Sequence, residues 1–220
     1  MITVSEAVEN YIHQSPYLLE AITDDIINYT ALARKIKDEI EEELHKDIQV
    51  GAIVMALKRL KPKLNRLNIQ DEVLSYVNKM GEIIVRSDLI DFTFKNSVTL
   101  IQKQQKLLRE IENMKDIFHA SSKGVYETNI VSSKKIEDIV ENIFGSEELL
   151  HKTEKLGAIT MRLPADNITV PGIYYYILKK IAWEGINISE VVSTTNEFTL
   201  IIDQKDVNRT FSLLHNMTQQ

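Results

Sequence analysis

The chain has 220 residues, 44% of them hydrophobic and 26% charged, with a formal net charge of −6. That size and mix describe a globular protein of one large or two to three small domains, and exclude a largely disordered chain. With no cysteine, 7 glycines and 4 prolines, disulfides, thiolate nucleophiles, Cys-ligated metal centres and long flexible linkers are excluded, and the acidic balance argues against a surface built throughout for nucleic acid or anionic membrane.

The N-terminus, Met1-Ile2-Thr3-Val4-Ser5-Glu6, lacks a basic stretch followed by an apolar run, so no signal peptide is expected. The longest apolar run, residues 52–57, is far short of the ~20 residues of a membrane span. A cytoplasmic protein is the expectation, with no membrane contact.

Three helices are predicted in the first 70 residues. Val4, Ala7, Val8, Tyr11 and Ile12 fall at helical spacing behind a Thr3 N-cap, and Ser15-Pro16 breaks that helix. A second helix spans about 28–44. A third spans about 49–61, with Val50, Ile53, Val54, Leu57 and Leu60 on one side and Pro62 as its stop. Beyond about residue 70 the period changes. Ile90, Phe92 and Phe94 alternate as in a strand, and a helix follows over about 97–114 with Leu100, Leu107, Leu108, Ile111 and Met114 on its apolar stripe. Strands are predicted at 116–120 and 125–131 around a turn at Ser121-Ser122-Lys123-Gly124, then a helix over 134–144 closed by Gly145. A strand at about 149–153 can complete this unit.

The order then recurs about 70 residues on. Ile159, Met161 and Leu163 alternate; Pro171-Gly172 opens a helix with Ile173, Ile177 and Ile181 as its core stripe; Gly185 closes it. A strand over 186–193, imperfect at Glu190, precedes one marked by Phe198, Leu200 and Ile202. Asp206 is the expected cap of a last helix carrying Val207, Phe211, Leu214 and Met217. The fold class is therefore α+β. A helical domain (1–70) precedes two ferredoxin-like βαββαβ units (71–155 and 156–220) whose helices cover one face of an antiparallel sheet. After its last helix the second unit retains only Thr218, Gln219 and Gln220, so its fourth strand is missing or comes from elsewhere.

From Ala158 to Met217 the sequence resembles an ACT domain, and is most similar to the regulatory half of aspartokinases. The residues that carry this are Val170-Pro171-Gly172-Ile173, Ala182-Trp183-Glu184-Gly185-Ile186-Asn187-Ile188 and Phe198-Thr199-Leu200-Ile201-Ile202-Asp203. The first unit matches only in element order, with Asn96-Ser97 where the second has Pro171-Gly172. The resemblance implies paired ACT modules and a small effector, usually an amino acid, bound near a domain or subunit interface. On it the effector contacts are expected at Asn167, Val170, Pro171, Gly172, Ile173, Asn187 and Ile188. The chemistry is consistent with that. Glycine lets a backbone approach a ligand, a helix N-terminus favours an anion, and an asparagine amide can meet both ends of an amino acid. Equally, Pro171-Gly172 can be a plain helix start and Asn187 a turn residue.

No kinase portion precedes this half, only about 70 helical residues without a phosphate-binding glycine loop, so catalysis is not expected. The N-terminal helices loosely resemble a helix-turn-helix. Its reading helix would be 49–60, followed by the basic cluster Lys58, Arg59, Lys61, Lys63 and Arg66, although Glu39, Glu41, Glu42 and Glu43 would repel a duplex. His13, His45, His119, His151 and His215 are scattered, without metal-ligand spacing, and read as surface or helix-end residues. Asp24-Asp25 and Glu147-Glu148 read as helix-start charges. At least one of Tyr174-Tyr175-Tyr176 must be exposed. The functional expectation is a non-enzymatic regulator without metal or cofactor, binding an amino-acid effector. DNA, or an aspartate-pathway enzyme regulated in trans, are the alternative outputs. A homodimer is expected, because paired sheets complete such sites and the second unit lacks a strand.

Overall fold

The computed structural model describes residues 2–64, 69–165 and 169–219. The chain forms two compact units, 1–70 and 71–220.

The first unit is helical. Helix α1 (Val4–His13) opens on a capping box. Glu6 N–H donates to Thr3 Oγ1, and Thr3 N–H donates to the Glu6 carboxylate at 2.7 Å. Pro16 does end the run from α1, but it is also the first residue of a second helix, α2 (Pro16–Thr23), which the sequence reading omitted. Proline suits a first helical position, where its missing N–H has no partner to lose. Helix α3 (Tyr29–Leu44) is capped by Asn28, which accepts from Thr30 and Ala31 N–H. Helix α4 (Val50–Leu64) runs through Pro62 and not up to it. So near the end, the proline forfeits one hydrogen bond without breaking the element. The apolar stripes, including Ile12, Ile36, Ile40, Ile53 and Leu57, meet in one dry core.

The second unit begins with α5 (Ile69–Val77), also absent from the sequence reading. Val73 and Val77, one turn apart, seat it on the core. The remaining elements are β1 (Ile83–Lys95), α6 (Leu100–Ile111), β2 (His119–Lys123), β3 (Glu127–Ser133), a 3-10 turn (Lys134–Ile136), α7 (Glu137–Phe144), β4 (Leu149–Arg162), α8 (Ile173–Trp183), β5 (Ile188–Ser193), β6 (Glu197–Asp203) and α9 (Val207–Met217). One antiparallel sheet has the order β2-β3-β1-β4-β6-β5.

Two modules share this sheet through its long central strands. The C-terminal half of β1 pairs with β3 and with the N-terminal half of β4, completing the first module. The C-terminal half of β4 pairs with β6, and on its other side with residues 83–86 of β1. The fourth strand of the second module is therefore supplied from within the chain. That removes the missing strand as a reason to expect a dimer. The predicted strands at 149–153 and 159–163 are one strand, and the expected boundary between 155 and 156 falls inside it. A bulge explains why they read as two. Register slips by one residue near Lys155, which is left-handed (φ 57°), and by one residue in β1 near Asp88 (φ 55°). Each slip resets the alternation of faces and bends the strand.

The bends curl the sheet. Asn129 on β3 donates to Glu190 on β5 at 3.3 Å, although three strands lie between them. In a flat sheet they would be about 19 Å apart. Leu89, Val131, Leu156, Ala158 and Ile201 fill the inside of the curl. Helices cover the outer face. Under α6 and α7 lie Ile90, Phe92, Phe94 and Ile130; under α5, α8 and α9 lie Ile159, Met161, Phe198 and Leu200.

Some local expectations shift. The β2–β3 turn lies at Gly124–Tyr126, so Ser121, Ser122 and Lys123 belong to the strand. Leu108, Met114 and Phe211 face solvent. Asp206 stands at the start of α9 without a capping bond, while Asp203 accepts from Lys205 N–H just before it. Neither acidic pair starts a helix. Asp24-Asp25 follows α2, and Glu147-Glu148 lies between α7 and β4. His119 and His151 stand in strands, and burial pushes the His119 pKa down.

Candidate functional site

In the second module the chain passes from β4 into α8 through Pro171-Gly172, both exposed. Gly172 adopts φ 94°, a left-handed conformation that a β-carbon would strain, and occupies the N-cap position without offering a side chain to the helix. Helix α8 then turns Ile173, Ile177 and Ile181 inward. Tyr174 stays at the surface. Its ring stacks on Phe198 with centroids 4.8 Å apart, and its hydroxyl lies 2.9 Å from Ser193 Oγ. Strand β5 runs parallel to β4, so the β5–β6 turn comes up beside this helix start. Leu163 N–H donates to Asn196 O at 2.7 Å, and Thr194 N–H to Glu197 O at 2.9 Å. Gly172, the Tyr174 hydroxyl, Ser193 and the backbone of 194–196 thus lie at one edge of the module, with the Tyr174 ring among them. Sequence reasoning singled out Gly172 but not Ser193 or Asn196. Their signal was the topology, since a strand parallel to β4 must end at the same edge.

Not all of the expected effector residues gather here. Asn167 lies outside the described residues. Val170 and Ile188 pack on the edge of the core, and Ile173 is buried in it. Asn187 is exposed just ahead of β5, beyond Gly185 (φ 69°), which closes α8. The 11 residues of α8 separate it from Gly172, about 16 Å at 1.5 Å per residue.

The same place in the first module looks different. Thr99 is the N-cap of α6, yet its hydroxyl does not cap the helix. It donates to Glu147 Oε1 at 2.7 Å, while Ser97 Oγ donates to Oε2 at 2.6 Å. Lys103, in the first turn of α6, lies 2.8 Å from the same carboxylate and also reaches Ser146 Oγ. The Glu147 side chain is only 4% exposed. The Lys103 ammonium and the two hydroxyls hold its pKa down to about 2.

The basic end of α4 is partly neutralised within its own unit. Lys61 pairs with Asp25 at 2.9 Å and Lys63 with Glu9 at 2.7 Å, and Arg59 Nε donates to Met55 O. Lys58 is exposed, and Arg66 lies outside the described residues.

No family model and no curated protein matches the sequence. Solved structures match the fold. The aspartate kinase of Clostridium acetobutylicum aligns at a TM-score of 0.51 and 14% identity, over 62% of this chain and 34% of that one. The ligand-free regulatory subunit of aspartate kinase from Thermus thermophilus aligns at 0.51 and 10%, over 63% and 97%. A structure of aspartokinase alpha and beta subunits aligns at 0.50 and 12%, over 64% and 99%. This chain thus spans about a third of the Clostridium enzyme and nearly all of the isolated Thermus regulatory subunit. The second unit has the fold of the paired ACT modules in aspartokinase regulatory halves.

Proposed function

We propose that the chain is a non-enzymatic regulatory protein that binds a small effector, an amino acid, at the start of α8. The observation that carries this reading is the open helix start at Gly172, flanked by the Tyr174 hydroxyl and Ser193. First-turn N–H groups favour a carboxylate, the glycine lets it approach, and hydroxyls can take the ammonium or a polar side chain. The regulatory-half fold supports the same reading. The mechanism is linkage: effector binds one arrangement of the modules more tightly and so shifts what the rest of the chain can engage. A homodimer remains part of the proposal on a narrower ground, since the length of α8 parts Asn187 from Gly172 within one copy and a second copy can bring such residues together.

A thermal-shift scan against the free amino acids tests it. Ligand at 100 times its dissociation constant adds about 2.7 kcal/mol, and each kcal/mol moves the midpoint by roughly 2–4 °C in a chain of this size. One amino acid, or a few related ones, should raise the midpoint of the wild type and not that of Gly172→Ala. A flat scan would overturn the reading.

A further inference from the structure

The two modules end their first strands alike. Lys95 N–H donates to Glu148 O at 3.0 Å, and Arg162 N–H donates to Glu82 O at 3.1 Å. In each case the acceptor residue leads into the module's fourth strand: Leu149 pairs with Phe94, and Ile83 pairs with Met161. Glu148 and Glu82 are therefore equivalent positions. So are the residues before them, Glu147 in the first module and Gly81 in the second.

The two modules differ at that position. In the first module Glu147 fills it with a buried carboxylate held by Ser97, Thr99 and Lys103. All three come from the loop and first turn of α6, the place where an open helix start would receive a ligand carboxylate. The hydroxyl of Thr99 bonds this carboxylate and does not cap its own helix. In the second module Gly81 brings no side chain. The nearest atoms to a β-carbon at Gly81 would be those of the Arg162 side chain, at 3.4 Å or more.

We propose that Glu147 is the built-in ligand of the first module, and that Ser97, Thr99 and Lys103 form a small-carboxylate site that accepts a free carboxylate once this side chain is removed. Of the two helix starts, only the second is then open to a ligand from solution; this clause alone rests on the function proposed above. A tethered carboxylate keeps the first site filled because its effective concentration exceeds that of a free one.

Chemical rescue tests the inference on the full chain. Glu147→Ala should lower the melting midpoint by about 5 °C, as expected for leaving a half-buried cation and two hydroxyls without their acceptor. Sodium acetate should restore at least half of that loss, with sodium chloride at equal ionic strength as the control. Wild type should not respond, and Glu147→Ala with Lys103→Met should lose the rescue. An Ala variant that is folded by circular dichroism but indifferent to acetate overturns the proposal, as does an equal acetate gain in wild type. Should the Ala variant fail to fold, Glu147→Gln decides. The difference between wild type and this variant should shrink as pH falls from about 4.5 toward 2, and a difference constant over that range overturns the proposal. None of these readouts uses an amino-acid effector. A flat amino-acid scan with intact acetate rescue removes the proposed function and leaves this site standing.

Discussion

The two modules share a sheet, an element order and a hydrogen bond at the end of the first strand, yet they treat the start of their first helix in opposite ways. The first fills it with its own Glu147; in the second the equivalent position is Gly81 and the helix N-cap is Gly172. A repeated fold thus does not repeat a site. The scaffold supplies a helix end that favours negative charge, and in the first module the chain itself provides that charge through Glu147.

The largest expected effect would break the comparison altogether. Gly157 lies in β4 where it crosses between modules, and a β-carbon there would stand 2.5 Å from Val207 Cγ2 and 3.2 Å from Arg86 O. Gly157→Ala should cost about 3 kcal/mol. If the modules are coupled through their shared strands, urea unfolding followed by near-UV and far-UV signals should still give one transition. Two separated transitions within the second unit, beyond any of the helical unit, would show the modules to be independent.

Next in size is the acid limb of the first module. Glu147 has a folded pKa of about 2 against an ordinary 4.5. Its contribution is complete above pH 4.5 and is lost as pH falls toward 2, because the unfolded state then binds the proton more readily. Asp91, buried inside the curl, runs the other way. Burial raises its pKa, so its protonation favours the folded state as pH falls. Asp91→Asn can still accept from Asn129 and should gain about 1 kcal/mol at pH 7, read from the urea midpoint.

A smaller effect sharpens the contrast at the open site. Gly172→Ala must hold φ 94° with a β-carbon and should cost about 1 kcal/mol, with effector binding lost beyond that stability change. Gly81→Ala should be the mildest. Its new methyl group comes nearest the Arg162 side chain, at 3.4 Å, so a melting midpoint within about 1 °C of wild type is expected.

Much of the architecture was legible because periodicity reports which face is buried. The stripes Ile173–Ile177–Ile181 and Ile90–Phe92–Phe94 are where the sequence placed them. Helix α2 was missed because it is only 8 residues long and begins at Pro16, which read as a break. β4 read as two strands because the bulge at Lys155 resets its alternation. Of the candidate site, Gly172 was legible from its local chemistry, as glycine after proline at a helix start. Ser193 and Asn196 were not, because only strand order brings the β5–β6 turn to that helix. Glu147 was misread as a helix-start charge, since its partners lie 44 to 50 positions earlier in the chain.

The sequence by itself determined the class of fold, the two-fold recurrence of strand and helix, and the glycine that opens α8, because each follows from interactions within a few residues. The tertiary structure alone decided where the second module finds its fourth strand, how the sheet curls, and which helix start is already filled. Those outcomes depend on hydrogen bonds and ion pairs between residues tens of positions apart. No local pattern encodes such contacts; strand register and bulge position bring them together.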